Sequence, residues 1–203
     1  MKFFTLLFFF LAFLIHAEKE NSGWVSLFDG KTTGGWKAPV KIEKFEAVSQ
    51  ELHLFSKKNV WILNDLKMRN FEVKCEVKIP LDYEGFNSGL GFRLIEGNGK
   101  PKGYQCEIDR ARPGGIYGIG LGGWIYPKKD NSSEFSKKAS NLFKISSWNH
   151  FRVYCSETKA LTFMNNQLIS ETNELHANEG KFGIQHHGKG GTVRFRNIWA
   201  KKL

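Results

Sequence analysis

The segment GYQCEID (103–109) alternates an apolar face, made of Tyr104, Cys106 and Ile108, with a polar face that carries Gln105, Glu107 and Asp109. Successive side chains of an extended strand point to opposite sides, so two carboxylates and an amide share one surface. A positioned carboxylate can take or give a proton, and a neighbouring amide can orient a hydroxylated ligand. The segment before it repeats the arrangement, with Ser88, Leu90, Phe92 and Leu94 on one face and Asn87, Gly89, Gly91 and Arg93 on the other. The short connection NGKPK (98–102) pairs the two segments as neighbours, which places Arg93 beside Glu107. The two glycines remove side chains where a ligand or another backbone could approach. A solvated face with an ordinary ion pair is the plain alternative, and the flanking Asn and Gln weigh against it.

Further along, KFGIQHHGKGG (181–191) puts Gln185 and His187 on one side of a strand end and Phe182, Ile184 and His186 on the other. Adjacent histidines on opposite faces do not chelate one ion, and no closed zinc-site spacing is present. Gln185 and His187 join the polar set if their strand lies against the other two. The stretch RARPGGIYGIGLGGWIYPKKD (110–130) carries Tyr117, Trp124 and Tyr126 among so many glycines that it reads as a long functional loop. Rings beside carboxylates, amides and Arg suit a sugar, whose C–H faces stack on aromatics while its hydroxyls hydrogen-bond. The alternative is a packed loop whose rings fill space. A phosphate cradle is disfavoured, because no helix start follows the glycines. No cofactor is required by these residues, although Glu107 and Asp109 could hold a hard divalent cation.

These side chains need a sheet to position them, and period-two alternation dominates the chain. It is clearest in FEVKCEVKI (71–79), whose outer face is plain alternating Glu and Lys. Similar segments occur at 24–28, 60–63, 89–95, 103–109, 150–155, 161–164, 181–186 and 192–200. Asn165-Asn166, between LTFM and QLIS, is a hairpin signal. Eight or more short strands predict an all-β, antiparallel two-sheet sandwich, with SSEFSKKASNLFKI (132–145) as one short helix or an ordered loop. Cys75, Cys106 and Cys155 each sit in an alternating apolar segment and read as buried thiols, with oxidation of one pair left open.

The chain begins MKFFTLLFFFLAFLIHA, a charged start, an apolar middle and a small residue at Ala17. This predicts a signal peptide at 1–17, cleaved near Ala17, and a single domain over 18–203 that is secreted or periplasmic. The apolar run is shorter than the ~20 residues of a bilayer span, so no stable membrane span is expected. The formal net charge is +10, but the lysines fall in scattered pairs such as Lys57-Lys58 and Lys128-Lys129. Scattered charge and export both argue against a nucleic-acid partner; the oligomeric state is open.

The order of several motifs resembles the 3-keto-disaccharide hydrolase domain family, from SLFDGKTTGGW (26–36) to VRFRNIWAKKL (193–203). The matching positions are Leu27 to Lys31, Gly35-Trp36, Asn87 to Gly89 with Arg93, the GYQCEID strand, GGIYG, Trp148-Asn149 and a final run. That run takes in Gly180, Gly183, Ile184, Gln185, His187, Gly188 and Phe195 to Ile198. His186 departs from the pattern by standing where the family has Asp, and the run from Phe182 to His187 is one apolar residue short. The resemblance implies a concanavalin A-like jelly roll of the lectin/glucanase type and cleavage of glycosides already oxidised at sugar C3. It also implies roles: Glu107 or His187 transfers the proton, Arg93 and Gln185 hold the oxidised sugar, and Asp109 positions a partner. Asn87, Gln105 and Tyr117 would contact the carbohydrate, and Trp124 or Tyr126 would stack on it. A non-catalytic carbohydrate-binding module is the alternative function, and a structural adhesion domain a weaker third. Glu107 with Asp109 as an ordinary hydrolase pair is geometrically poor, since residues i and i+2 lie only ~7 Å apart with parallel side chains.

Overall fold

A computed structural model describes residues 23–81, 85–145 and 147–203, so the expected signal peptide lies outside the described residues. The strands run in the order β1 (Trp24–Ser26), β2 (Trp36–Lys37), β3 (Lys44–Val48), β4 (Glu51–Phe55), β5 (Val60–Met68), β6 (Phe71–Lys78), β7 (Asn87–Ile95) and β8 (Lys102–Asp109). There follow β9 (Ile116–Ile119), β10 (Gly123–Tyr126), helix α1 (Ser132–Leu142), β11 (Asn149–Ser156), β12 (Lys159–Met164), β13 (Gln167–Thr172), β14 (Gly180–His186) and β15 (Val193–Lys202). They form two antiparallel sheets. One has the order β13-β12-β11-β6-β15-β4-β3, with β1 also paired to β15; the other has the order β10-β9-β8-β7-β14-β5-β2. No helix among the described residues is long and apolar enough to cross a membrane.

Alternation fixes which side of each strand is buried. In β6, Phe71, Val73, Cys75 and Val77 face inward and are essentially inaccessible, while Glu72, Lys74, Glu76 and Lys78 are half-buried on the other side. Across the core, Ile62, Leu90, Phe92, Tyr104, Cys106, Ile108, Phe182 and Ile184 project from the seven-stranded sheet. The three cysteines are free and buried in this core, and burial pushes the Cys155 thiol up to about 11. Asn165 and Asn166 both take positive φ in the β12–β13 turn, which Asn accommodates at little cost. Of the short helix or ordered loop expected over 132–145, a helix forms at Ser132–Leu142 and buries Phe135 and Ala139.

Two expectations are corrected. The stretch 110–130 is not a long loop: β9 and β10 form an antiparallel hairpin that extends the sheet beyond β8. Its glycines serve the turn, where Gly120, Gly122 and Gly123 adopt φ of +65°, +93° and +92°. The second correction concerns β7. Its pairing with β8 is regular from Asn87 to Phe92 and then shifts before Ile95, where Arg93 takes φ +50°. A bulge at this point inverts the alternation. Leu94 joins Trp61, Leu63 and Ile119 in a small apolar cluster on the outer face, and Arg93 is buried instead of standing beside Glu107. The Arg93 guanidinium donates from Nε and Nη2 to the Arg69 carbonyl (3.0 and 2.7 Å) and from Nη1 to the carbonyls of Glu157 (2.7 Å) and His176 (2.6 Å). It therefore clasps three loops at the end of the sandwich away from the polar set.

The two sheets are also tied at the β8–β9 turn. Glu107 exchanges backbone hydrogen bonds with this turn, accepting from the Gly114 N–H and donating to the Gly115 carbonyl, both at 2.8 Å. The Gly114 carbonyl in turn accepts the buried hydroxyls of Thr162 on β12 and Ser170 on β13.

Candidate active site

The outer face of the seven-stranded sheet carries a cleft of about 240 Å³, lined by residues of β5, β7, β8, β9, β10 and β14 with their adjoining loops. This is below the roughly 300–1,000 Å³ of sites for drug-sized molecules and suits a single ring. Six strands contribute because β14 pairs with β7 and β7 with β8, which brings the Gln185 and Glu107 strands to either side of the glycine-bearing centre of β7. Gly89 stands opposite Glu107 and Gly91 opposite Gln105 in the register. A Cβ at Gly89 would lie 2.9 Å from Gln105 Cδ, and one at Gly91 would lie 2.6 Å from the Trp61 ring. The glycines thus make room for neighbouring side chains that form the floor.

Glu107 is the acid of the cleft and only 3% exposed. Asn87 Nδ2 donates to its Oε1 at 2.5 Å and Gln105 Nε2 to its Oε2 at 2.6 Å. Burial, with added repulsion from Asp109, raises its pKa from 4.5 to about 8, although both amide donors pull the other way. Beyond those bonds, Asn87 Oδ1 and Gln185 Oε1 are buried without a hydrogen-bond partner among the described residues. Gln185 Nε2 is committed to Asn59 Oδ1 at 3.0 Å, which fixes the orientation of that amide. A buried acceptor left unpaired costs about 1–3 kcal/mol, so both oxygens favour a ligand that brings hydroxyl or amine donors.

His187 lines the same cleft, its backbone N–H donating to the Asn87 carbonyl at 3.1 Å. Burial lowers its pKa, and the neighbouring cations Lys100 and Lys189 lower it further, which favours the neutral imidazole. His186 points into the core, 5.6 Å from the rings of both Phe55 and Phe86. Its Nδ1 accepts the Gly188 N–H (3.1 Å), which leaves Nε2 to donate to the Gly191 carbonyl (3.0 Å). It is a structural histidine that shapes the turn after β14.

Of the residues expected at the site, the cleft brings together Asn87, Gln105, Glu107, Tyr117, Trp124, Gln185 and His187. Arg93, Asp109 and Tyr126 do not line it. Asp109 Oδ1 accepts the backbone N–H groups of Ala111 (3.0 Å) and Arg112 (2.6 Å), so this carboxylate caps the turn after β8. Tyr126 follows a bulge in β10 and packs edge-on against Phe135, 5.6 Å between centroids. Trp124 has the Arg112 guanidinium 3.9 Å from its ring centroid and meets the edge of Tyr117. Of the pair considered for a cation, Glu107 has both oxygens bonded to Asn87 and Gln105 and Asp109 has Oδ1 bonded to the turn, and no group of three metal-ligating side chains converges among the described residues.

Sequence reasoning missed Asn59, Trp61 and Lys100. Trp61 sits inside VWIL, a run apolar in both parities that names no outward face, and Asn59 directly precedes it. Lys100 lies in the connection between β7 and β8, where a single lysine between Gly99 and Pro101 carries no periodic signal of the face it meets.

The family model for a 3-keto-alpha-glucoside-1,2-lyase-like domain matches residues 23–201. Among solved structures, the chain is similar to a candidate glycosyl hydrolase from Parabacteroides distasonis, at a TM-score of 0.64 and 16% identity over 89% of this chain and 94% of that one. It is similar to the carbohydrate-binding module CBM66 from Bacillus subtilis at 0.61 and 14%, covering 83% and 96%. It is also similar to a Bacillus licheniformis β-glucanase at 0.59 and 11%, covering 91% and 100%. At these identities the likeness establishes the concanavalin-like jelly roll and leaves chemistry to the site. No curated protein matches the chain.

Proposed function

We propose, from the premise that the chain belongs to the 3-keto-alpha-glucoside-1,2-lyase-like domain family, that it cleaves glycosides whose sugar carries a ketone at C3. The observation that carries this reading is Glu107, a buried carboxyl with its pKa raised to about 8 and clamped by two amides in a cleft with two unpaired acceptors. A base with a pKa near the working pH is well matched to a C–H made acidic by an adjacent ketone. Ionised Glu107 takes the C2 proton, the C–H electron pair forms the C1=C2 bond, and the C1–O bond breaks. The proton that Glu107 has taken passes to the departing oxygen, relayed along the His187 side of the cleft, so that the aglycone leaves as its alcohol and Glu107 is ionised again. Water then adds across the double bond to give the free 3-keto sugar, so that the net change is hydrolysis.

Lys100, in place of the Arg93 that the resemblance implies for holding the oxidised sugar, supplies the cation that stabilises negative charge developing on the C3 oxygen. Asn87 Oδ1 and Gln185 Oε1 receive sugar hydroxyls, while Tyr117 and Trp124 form the aromatic wall. The second reading, a binding module without turnover, is favoured by the same two acceptors and by the fold shared with CBM66. It gives no reason to bury an acid at the energetic cost implied by a pKa of about 8.

Incubating the protein with 3-keto-glucosides and their unoxidised counterparts separates the two. Release of aglycone from the ketone series alone is the expected result. Binding of either series with no release from both would establish a binding module. Because Glu107 acts as a base, kcat/KM should rise with pH through about 8. Gly89→Ala crowds Gln105, weakens its bond to Glu107 and so should move that limb to higher pH, since the bond holds the pKa down. An unmoved profile in this variant would show that Glu107 does not set the limb.

A further inference from the structure

A second groove of about 280 Å³ adjoins the cleft and is lined by Lys37, Ala38, Pro39, Trp61, Leu63 and the loop 96–101. Trp61 lines both spaces, and Lys100 faces the cleft from between Gly99 and Pro101 of the groove. From the residue that precedes β5 onward, the cleft residue Asn59, the shared Trp61 and the groove residue Leu63 follow one another at every second position, steps of about 7 Å. The groove therefore begins about one ring's width from the sugar site.

Its chemistry differs from that of the cleft. The facing surfaces are two prolines, Ala38, Leu63 and Trp61. Its two charged side chains already have partners, Lys37 with Asp65 at 3.0 Å and Glu96 with Lys181. No side chain lining it has a buried unpaired donor or acceptor, whereas the cleft has two such acceptors. A second sugar would bring hydroxyls to a surface with few free groups to receive them, while a flat apolar group would meet matching surface.

We propose that this groove is the aglycone subsite and selects glycosides of apolar, aryl-type aglycones over disaccharides, a selection that rests on the reading of the cleft as a 3-keto-glycoside site. The test compares 3-keto-glucosides of phenol and 4-propylphenol, whose leaving groups are nearly equal in acidity, so that a difference reports on contact. With about 0.8 kcal/mol per buried CH₂ and partial burial in an open groove, the propyl compound should show a kcat/KM about tenfold higher.

Ala38 is exposed on the groove wall, so Ala38→Glu introduces a charge without disturbing the core, and it should return the propyl-to-phenyl ratio to near one. Titration calorimetry with 4-propylphenol alone reads the groove independently of turnover, and its binding should be lost in Ala38→Glu. Equal kcat/KM for the two substrates, or a ratio unchanged by Ala38→Glu, would overturn the subsite. Calorimetric binding sensitive to Ala38→Glu, with no turnover of any 3-keto-glucoside, would uphold the groove and overturn the function assigned to the cleft.

Discussion

Glu107→Gln is expected to reduce kcat/KM on 3-keto-glucosides by about 10²–10⁴-fold, the usual range for removing a positioned proton-transfer group. The substitution conserves shape, and when Asn87 turns its amide over to present Oδ1 to the new side-chain NH₂, its own NH₂ faces the sugar, whose hydroxyls accept as well as donate. Substrate binding should therefore survive, and the loss should fall on kcat more than on KM.

Stability should move in the opposite direction. The native carboxyl holds its proton up to about pH 8, whereas in the unfolded chain it releases it near 4.5. Between those values the folded state binds more protons, so the wild-type protein loses stability as pH rises, at up to about 1.4 kcal/mol per pH unit. Below the window both states are protonated, and above it the loss is complete. The Gln variant lacks this liability, so its melting temperature should exceed the wild type's increasingly from pH 5 to 8. Melting curves across that range, with turnover on the same samples, check both halves. A Gln variant that remains active would remove Glu107 from the chemistry, and parallel melting curves would show that its carboxyl is not buried as described.

Arg93→Met should be the most damaging single change outside the cleft. It leaves the carbonyls of Arg69, Glu157 and His176 without the guanidinium that now satisfies them at 2.6–3.0 Å. A hydrogen bond from a charged donor is worth about 1.5–3 kcal/mol, so losing the bonds to three carbonyls costs roughly 4 kcal/mol or more, which for a domain of this size lowers the melting temperature by about 10 °C. Arg93→Lys should recover only part of the loss, because an ammonium lacks the planar fork that reaches separate carbonyls. Substrate affinity of the folded fraction should stay unchanged at low temperature, since Arg93 does not line the cleft. A full loss of affinity with an unaltered melting curve would return Arg93 to the site.

The contrast between Glu107 and Arg93 shows where the sequence was legible. Uninterrupted alternation in β6 and β8 assigns every side chain to a face, so the core of both strands and the pairing of Gln105 with Glu107 could be read directly. The same rule fails beyond Phe92, because a bulge at a non-glycine residue leaves no mark in composition and reverses every later assignment in β7. Glycine frequency misled in the opposite sense at 110–130, where the residues that looked like breakers form the turn of a tight hairpin. Residues 59–61 entered the site through the pairing of β5 with β14, a long-range contact that no local pattern encodes. Asp109 shares a face with Glu107 as expected, but it lies at the strand end, where unpaired backbone N–H groups claim its oxygen.

The Gly114 carbonyl, held by the hydroxyls of Thr162 and Ser170, gives the opposite sheet a part in this chemistry. Glu107 is bonded through its own backbone to the same turn, so the height of the acid above the cleft floor is set from strands that never meet a ligand. Mutational drift in β12 and β13 would then act as a fine adjustment of reach, altering how the acid meets a sugar while every residue around that sugar stays the same.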